Sequence, residues 1–244
     1  MALNEGRVVI VTGAGRGIGR EHALGFAATG AKVVVNDLGG DMTGSGADVH
    51  PAQETVAMIK EMGVDAIVNG DNVADFAGAG RLVQQAIDTF GRLDVLVNNA
   101  GILRDRVIIN MTEAEWDAVI AVHLKGTFGP TRHAAAYWRD QSKAGTQPDA
   151  RVINTTSPSG IFGNVGQTNY GAAKAGIASF SLIAGAELGR YGVTVNAIAP
   201  VARTRMTENL GMTKPDDPTK FDALDPANIT PPCTGASRRR PARR

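Results

Sequence analysis

Through the first 200 residues, short runs of β-branched and apolar residues alternate with longer stretches whose apolar positions recur every three to four residues. Period-two and unbroken apolar runs mark strands, and the longer spacing marks amphipathic helices. The pattern predicts strands at Arg7–Thr12, Lys32–Asn36, Asp65–Asn69, Asp94–Asn98, Arg151–Thr156 and Val193–Ile198. It predicts helices at Gly17–Thr29, Ala52–Met62, Ala74–Phe90, Glu113–Asp140 and Asn169–Gly189, the fourth kinked near Gly129-Pro130. Val8–Val11, Val33–Val35 and Val95–Val97 are apolar without interruption, as in strands covered on both faces. Strands and helices in strict alternation give an α/β chain: a doubly wound, Rossmann-type parallel sheet flanked by helices. No linker interrupts it before residue 200, and the expected organisation is one domain over 1–230 with an atypical, disordered basic tail over 231–244.

Composition narrows the class. A chain of 244 residues, 43% hydrophobic and 20% charged, is ordinary globular material. The net charge of +1 includes Arg238, Arg239, Arg240, Arg243 and Arg244, so the rest carries −4 and offers no general attraction for nucleic acid or an anionic membrane. A basic nucleic-acid arm at the tail is the lesser alternative. No apolar run is long enough to span a bilayer, and Met1–Arg7 lacks a signal pattern, so the expected compartment is the cytoplasm. One cysteine and four scattered histidines give no metal-ligand cluster.

Two motifs carry chemistry by themselves. The first strand runs into Thr12-Gly13-Ala14-Gly15-Arg16-Gly17-Ile18-Gly19 and then a helix, a turn that lets backbone amides approach a pyrophosphate at a helix N-terminus. Asp37, 18 residues after Gly19, follows the second strand, where a carboxylate accepts bonds from an adenosine ribose and repels a 2′-phosphate. NAD is therefore expected before NADP, with Arg16 as the competing feature. Tyr170 and Lys174 lie four residues apart, on one helix face, where the ammonium is expected to stabilise the phenolate and bring the tyrosine into range as a base. A serine-hydrolase reading fails, since there is no Gly-x-Ser-x-Gly elbow and no partnered histidine.

The spacing of the glycine turn, with three residues between its first two motif glycines, resembles the short-chain dehydrogenase/reductase family. Further segments agree: Asn98-Asn99-Ala100-Gly101 after strand four, Asp71-Asn72-Val73 after strand three, and Tyr170-Gly171-Ala172-Ala173-Lys174. The resemblance implies that Asp71, Asn72, Val73, Asn99, Ala100 and Gly101 flank the adenine side of the cofactor. It implies that Ser157, 13 residues before Tyr170, binds the substrate oxygen, with Ser159 as the nearby competitor, that Pro200 and Thr204 meet the nicotinamide, and that Tyr170 and Lys174 also contact the cofactor. His123 stands where many members carry an asparagine, either as part of a proton relay or as a packed helix residue. Asn36–Asp41, Asn98–Arg106 and Ser159–Asn164 look like the (3R)-hydroxyacyl-CoA dehydrogenase part of peroxisomal multifunctional enzyme type 2 and its bacterial single-domain relatives. The likeness implies NAD-dependent oxidation of a 3-hydroxyacyl-CoA or a related secondary alcohol to its ketone. It also implies a homo-oligomer built through helices four and five, a dimer more readily than a tetramer.

Past Asn228-Ile229-Thr230 the likeness ends, and the seventh strand that the family carries has no counterpart. Strand six is then expected at an open sheet edge, and the alternative function is an inactive, truncated nucleotide-binding remnant.

Overall fold

A computed structural model describes residues 2–204, 207 and 219–237. It holds a six-stranded, wholly parallel sheet of order β3-β2-β1-β4-β5-β6. The strands are β1 Val8–Thr12, β2 Lys32–Asn36, β3 Ala66–Asn69, β4 Val95–Asn98, β5 Ala150–Thr155 and β6 Val193–Ile198, each within one residue of its expected bounds. The helices are α1 Gly17–Ala28, α2 His50–Glu61, α3 Phe76–Phe90, α4 Glu113–Ile120, α5 Gly126–Lys143, α6 Pro158–Phe162, α7 Thr168–Leu188 and α8 Thr230–Ala236. Among the described residues β6 pairs only with β5 and so forms one edge of the sheet, as expected.

The unbroken valine runs are explained by the two covered faces. Val9, Val11, Val33, Val35, Val95 and Val97 point to the face packed by α1 and α2, where Phe26 and Ile59 are buried. Val8, Ile10, Val34 and Leu96 point to the face packed by α3 and α5, against Leu82 and Trp138. Alternate residues of each strand thus enter separate cores.

Three features depart from the expected elements. The fourth helix is interrupted at a π-turn, Ala121–Lys125, and Pro130 lies inside α5. The widened ladder comes before the proline rather than at it, with the Gly126 amide reaching back to Ala121 O. The short helix α6 was not expected. Nor was α8, which falls in the segment expected to be disordered; residues 238–244, with the five arginines, lie outside the described residues.

Helix α8 is held by specific contacts. Cys233 is buried in the α1–α2 core, Ser237 Oγ donates to Asn4 Oδ1 at 2.7 Å, and Arg7 Nη1 donates to Ser237 O at 2.6 Å. Its prolines occupy the first turn, where a missing N–H leaves no bond unmade. Thr230 seats its methyl on Gly25 so closely that a β-carbon there would meet Thr230 Cγ2 at 2.1 Å. Gly25→Ala, which elsewhere in a helix would gain about 1 kcal/mol, is therefore expected to lose about 1–3 kcal/mol by overpacking. Thermal melts should show that loss, and Thr230→Ser in the same background should recover it.

Candidate functional site

Strand order reverses between β1 and β4, and in such sheets a crevice opens beyond the carboxyl ends of these strands. A cavity of about 570 Å³ lies there. Every residue expected at the site lines it: Gly13, Arg16, Gly17, Ile18, Gly19 and Asp37; Asp71, Asn72 and Val73; Asn99, Ala100 and Gly101; Ser157, Tyr170 and Lys174; Pro200 and Thr204.

One end of the cavity is built for an anion. Helix α1 begins at Gly17 with Arg16 as its N-cap, no side chain caps it, and no acidic residue stands in its first turn. Its leading amides are therefore open to a phosphate, and the dipole favours one. Gly19 lets the turn fold back on itself, since a β-carbon there would lie 2.1 Å from Gly13 O. Asn99 braces the turn, its Nδ2 donating to Thr12 O at 3.0 Å, while Thr12 Oγ1 accepts from the amides of Asn99 and Ala100. Asp37 is held at the mouth by two amides, Gly15 N to Oδ2 and Gly39 N to Oδ1, both at 2.7 Å. Asp71 is set by Arg81, whose Nε donates to it at 2.8 Å, and by Asn69 Nδ2 at 2.9 Å. These donors and the carboxylate suit a dinucleotide: a pyrophosphate on the α1 amides and a ribose on Asp37.

The same cavity is lined by Ser157, Tyr170 and Lys174, the residues expected to carry the acid–base chemistry. Asn169 orients the start of α7, donating to Arg104 O at 3.0 Å and accepting the Tyr170 amide at 2.7 Å. Ser157, whose Oγ accepts the Ser159 amide at 3.2 Å, lines the cavity with Tyr170 and is near enough to lower that phenol. Ser159 donates instead to Gln167 Oε1 at 2.8 Å, and Gln167 Nε2 is tied to Asp105, so the geometry favours Ser157 over its competitor. Lys174 is buried, its Nζ donates to Thr155 O at 2.6 Å, and it sits 5.5 Å from the Tyr170 ring centre. Burial brings Lys174 down to about 7. Burial also raises Tyr170 above the ordinary phenol range, more than neighbouring Ser157 lowers it, with Asp105 adding to the rise. The expectation that the neighbouring ammonium by itself brings the phenol down is thus not met in this state, because desolvation outweighs it.

His123 comes from the π-turn and is buried against Tyr170, ring centres 5.1 Å apart and edge to face. Burial, with the charge of Lys174, pulls it down to about 3, so it is neutral throughout the working range. Its Nε2 lies 2.8 Å from Ile102 O and 3.1 Å from Ile102 N, so either tautomer finds a backbone partner, while Nδ1 has no hydrogen-bond partner among the described residues. The ring needs Gly101: a β-carbon there would meet His123 Cε1 at 2.4 Å. Gly101→Ala is expected to cost about 1–3 kcal/mol, read in thermal melts, and His123→Asn in the same protein should relieve part of it.

The family model described as short chain dehydrogenase matches residues 7–215. The chain belongs to that family. This short-chain dehydrogenase is 47% identical over 227 residues to hydroxyacyl-CoA dehydrogenase ChsB1 of Mycobacterium tuberculosis, covering 92% of this chain and 70% of that protein. It is 46% identical to peroxisomal multifunctional enzyme type 2 of Mus musculus over 93% of this chain but only 29% of the mouse protein. A solved short-chain dehydrogenase from Mycobacterium avium superposes with a TM-score of 0.86 at 56% identity, covering 98% of this chain and 79% of that one. The protein is accordingly an NAD(P)-dependent oxidoreductase acting on a small molecule. No described helix is long and apolar enough to cross a membrane.

Sequence reasoning left out several lining residues: Leu38, Asp41, Met42, Ile102, Leu103 and Gln167. A signal existed for the first three, since residues 37–49 form a connection far longer than the two to six residues that join most strands to helices.

Proposed function

We propose that the protein interconverts a 3-hydroxyacyl-CoA, or a related secondary alcohol, and its ketone, with NAD as the hydride carrier. The observation that carries this reading is the meeting of Ser157, Tyr170 and Lys174 in a cavity that is also lined by the uncapped N-terminus of α1. A bound nicotinamide supplies a hydride acceptor or donor. The chain supplies the rest: Ser157 donates to the substrate oxygen and Tyr170 exchanges the proton on that oxygen. Lys174, as an ammonium, favours the phenolate. The acyl-CoA class rests on the likeness to ChsB1, a hydroxyacyl-CoA dehydrogenase. NADH formation at 340 nm with 3-hydroxyacyl-CoAs of increasing chain length tests it. Turnover restricted to unrelated alcohols would reject the acyl-CoA class, and no turnover with any of them would favour the inactive alternative.

NAD is favoured over NADP because the carboxylate of Asp37 is fixed at the cavity mouth by two amides and would face a 2′-phosphate. Asp37→Asn keeps the shape and removes the charge. Juxtaposed like charges cost several kcal/mol, so the preference for NADH over NADPH is expected to fall by about a hundredfold. Titration of cofactor fluorescence with both cofactors would show it, and an unchanged ratio would reject the assignment. We further infer a homodimer through α5 and α7, on which Phe128, Leu182 and Ile183 are exposed, and a cytoplasmic location.

A further inference from the structure

The connection between β2 and α2 is closed at its base and laid down at its tip. At the base the Asp48 amide donates to Leu38 O at 3.1 Å. Gly39, at φ +77°, lies so near this strand of chain that a β-carbon would meet Asp48 O at 1.6 Å. The tip is a self-supported turn in which Asp41 Oδ1 accepts from the amides of Thr43 and Ser45 and from the Thr43 hydroxyl. That tip reaches the far side of the cavity. The Leu103 amide donates to Met42 O at 2.9 Å, Gly44 packs on Ile102, and Arg104 Nη2 donates to Ser45 Oγ at 3.5 Å. Because β1 lies between β2 and β4, a segment that leaves β2 and rests on the residues after β4 crosses the end of β1, where the glycine turn begins. Leu38, Asp41, Met42 and Gly44 line the same cavity as Gly13 and Arg16.

We propose that residues 38–48 are a strap over the adenosine half of the dinucleotide site, whose tip must lift for the cofactor to enter or leave. The proposal rests on the dinucleotide reading above. The division of contacts decides which part moves. The base is joined by main-chain bonds, a steric fit without room for a β-carbon, and the doubly bonded Asp37. Among the described residues, the tip is held across the cavity by one main-chain bond, the contact of Gly44 with Ile102, one long side-chain bond and the attraction between the charges of Arg104 and Asp41. Segments with few such bonds open at low free energy, and their opening commonly gates exchange. Strap opening then sets the rate of cofactor exchange, while the base keeps Asp37 in place.

A reversible cross-link tests this. A β-carbon on Gly44 would lie 3.7 Å from Ile102 Cβ, within the range that a disulfide spans. The natural cysteine, Cys233, is buried and does not compete. Gly44→Cys with Ile102→Cys carries the strain of a cysteine at φ +82° in both redox states, so the oxidised and reduced forms of one variant are compared. NADH release and uptake, followed by its fluorescence, are expected to be at least tenfold slower when oxidised. A second variant replaces 40–47 by Asn-Gly, joining Gly39 to Asp48 through a two-residue turn, and is expected to exchange NADH at least tenfold faster than the natural chain. Equal exchange rates in both comparisons overturn the strap. Failure of the unsubstituted protein to bind NADH overturns the dinucleotide reading, and the strap with it.

Discussion

Tyr170→Phe is expected to lower turnover by about 10²–10⁴-fold, the usual contribution of a positioned acid or base, while NADH affinity changes little. The phenol lines the cavity with Ser157 and stands close to Lys174, and phenylalanine removes only its hydroxyl. The neighbouring His123 is neutral and Asp105 is tied to Gln167 Nε2, so neither is placed to take over. Because burial holds Tyr170 above the ordinary phenol value, the protonated form dominates at neutral pH. Alcohol oxidation needs the phenolate and should accelerate as pH rises from 7 to 9, whereas ketone reduction uses the phenol and should not. Rates within threefold of the natural protein in Tyr170→Phe would remove the tyrosine from the mechanism.

Lys174→Met is expected to move activity and stability in opposite directions. Lys174 is buried and falls from 10.5 to about 7 in the folded chain. Between these values the unfolded state binds more protons than the folded one, so stability rises with pH through that window. Below about pH 7 both states hold the proton and the whole cost of the buried ammonium is present. That cost is on the order of 5 kcal/mol at 1.36 kcal/mol per pH unit, offset by about 1 kcal/mol for the bond to Thr155 O. Methionine fills similar volume without ionising. At pH 6 the variant should melt several degrees above the natural protein, and the two should converge towards pH 10, where the raised phenol of Tyr170 begins to act in the opposite sense. At pH 6, where Lys174 holds its proton, oxidation should nevertheless slow by at least tenfold, because the cation beside the phenolate is gone. A variant melting at or below the natural protein at pH 6 would show that Lys174 is not held at a desolvation cost.

The sheet and its ligand-binding end were legible in the chain because the information there is local. Valine runs that must satisfy a core on each face cannot be read as one-sided strands, and the resulting β1–α1 and β4 junctions place Gly13–Gly19 and Asn99–Gly101 side by side. Tyr170 and Lys174 share a face by helix geometry alone. Other features depend on what lies across the fold. Helices α6 and α8 are too short to show a period, and α8 is stable because Thr230, Cys233 and Ser237 meet Gly25, the α1–α2 core and Asn4. Pro130 marked a disturbance in the fourth helix, but the break moved to the π-turn that carries His123. The tyrosine–lysine pair was readable as a pair, yet its electrostatics were not: spacing gives proximity, and only the packed structure gives the loss of water that raises one group and lowers the other. The strap shows the same limit. Its length was visible in the sequence, whereas the surface it rests on, Ile102 and Leu103, is brought to it by the parallel order of β2, β1 and β4. Sequence patterns thus determined the elements and the chemistry of neighbours along the chain, and tertiary structure decided burial and contact between distant segments, because desolvation and packing are properties of what surrounds a residue in space.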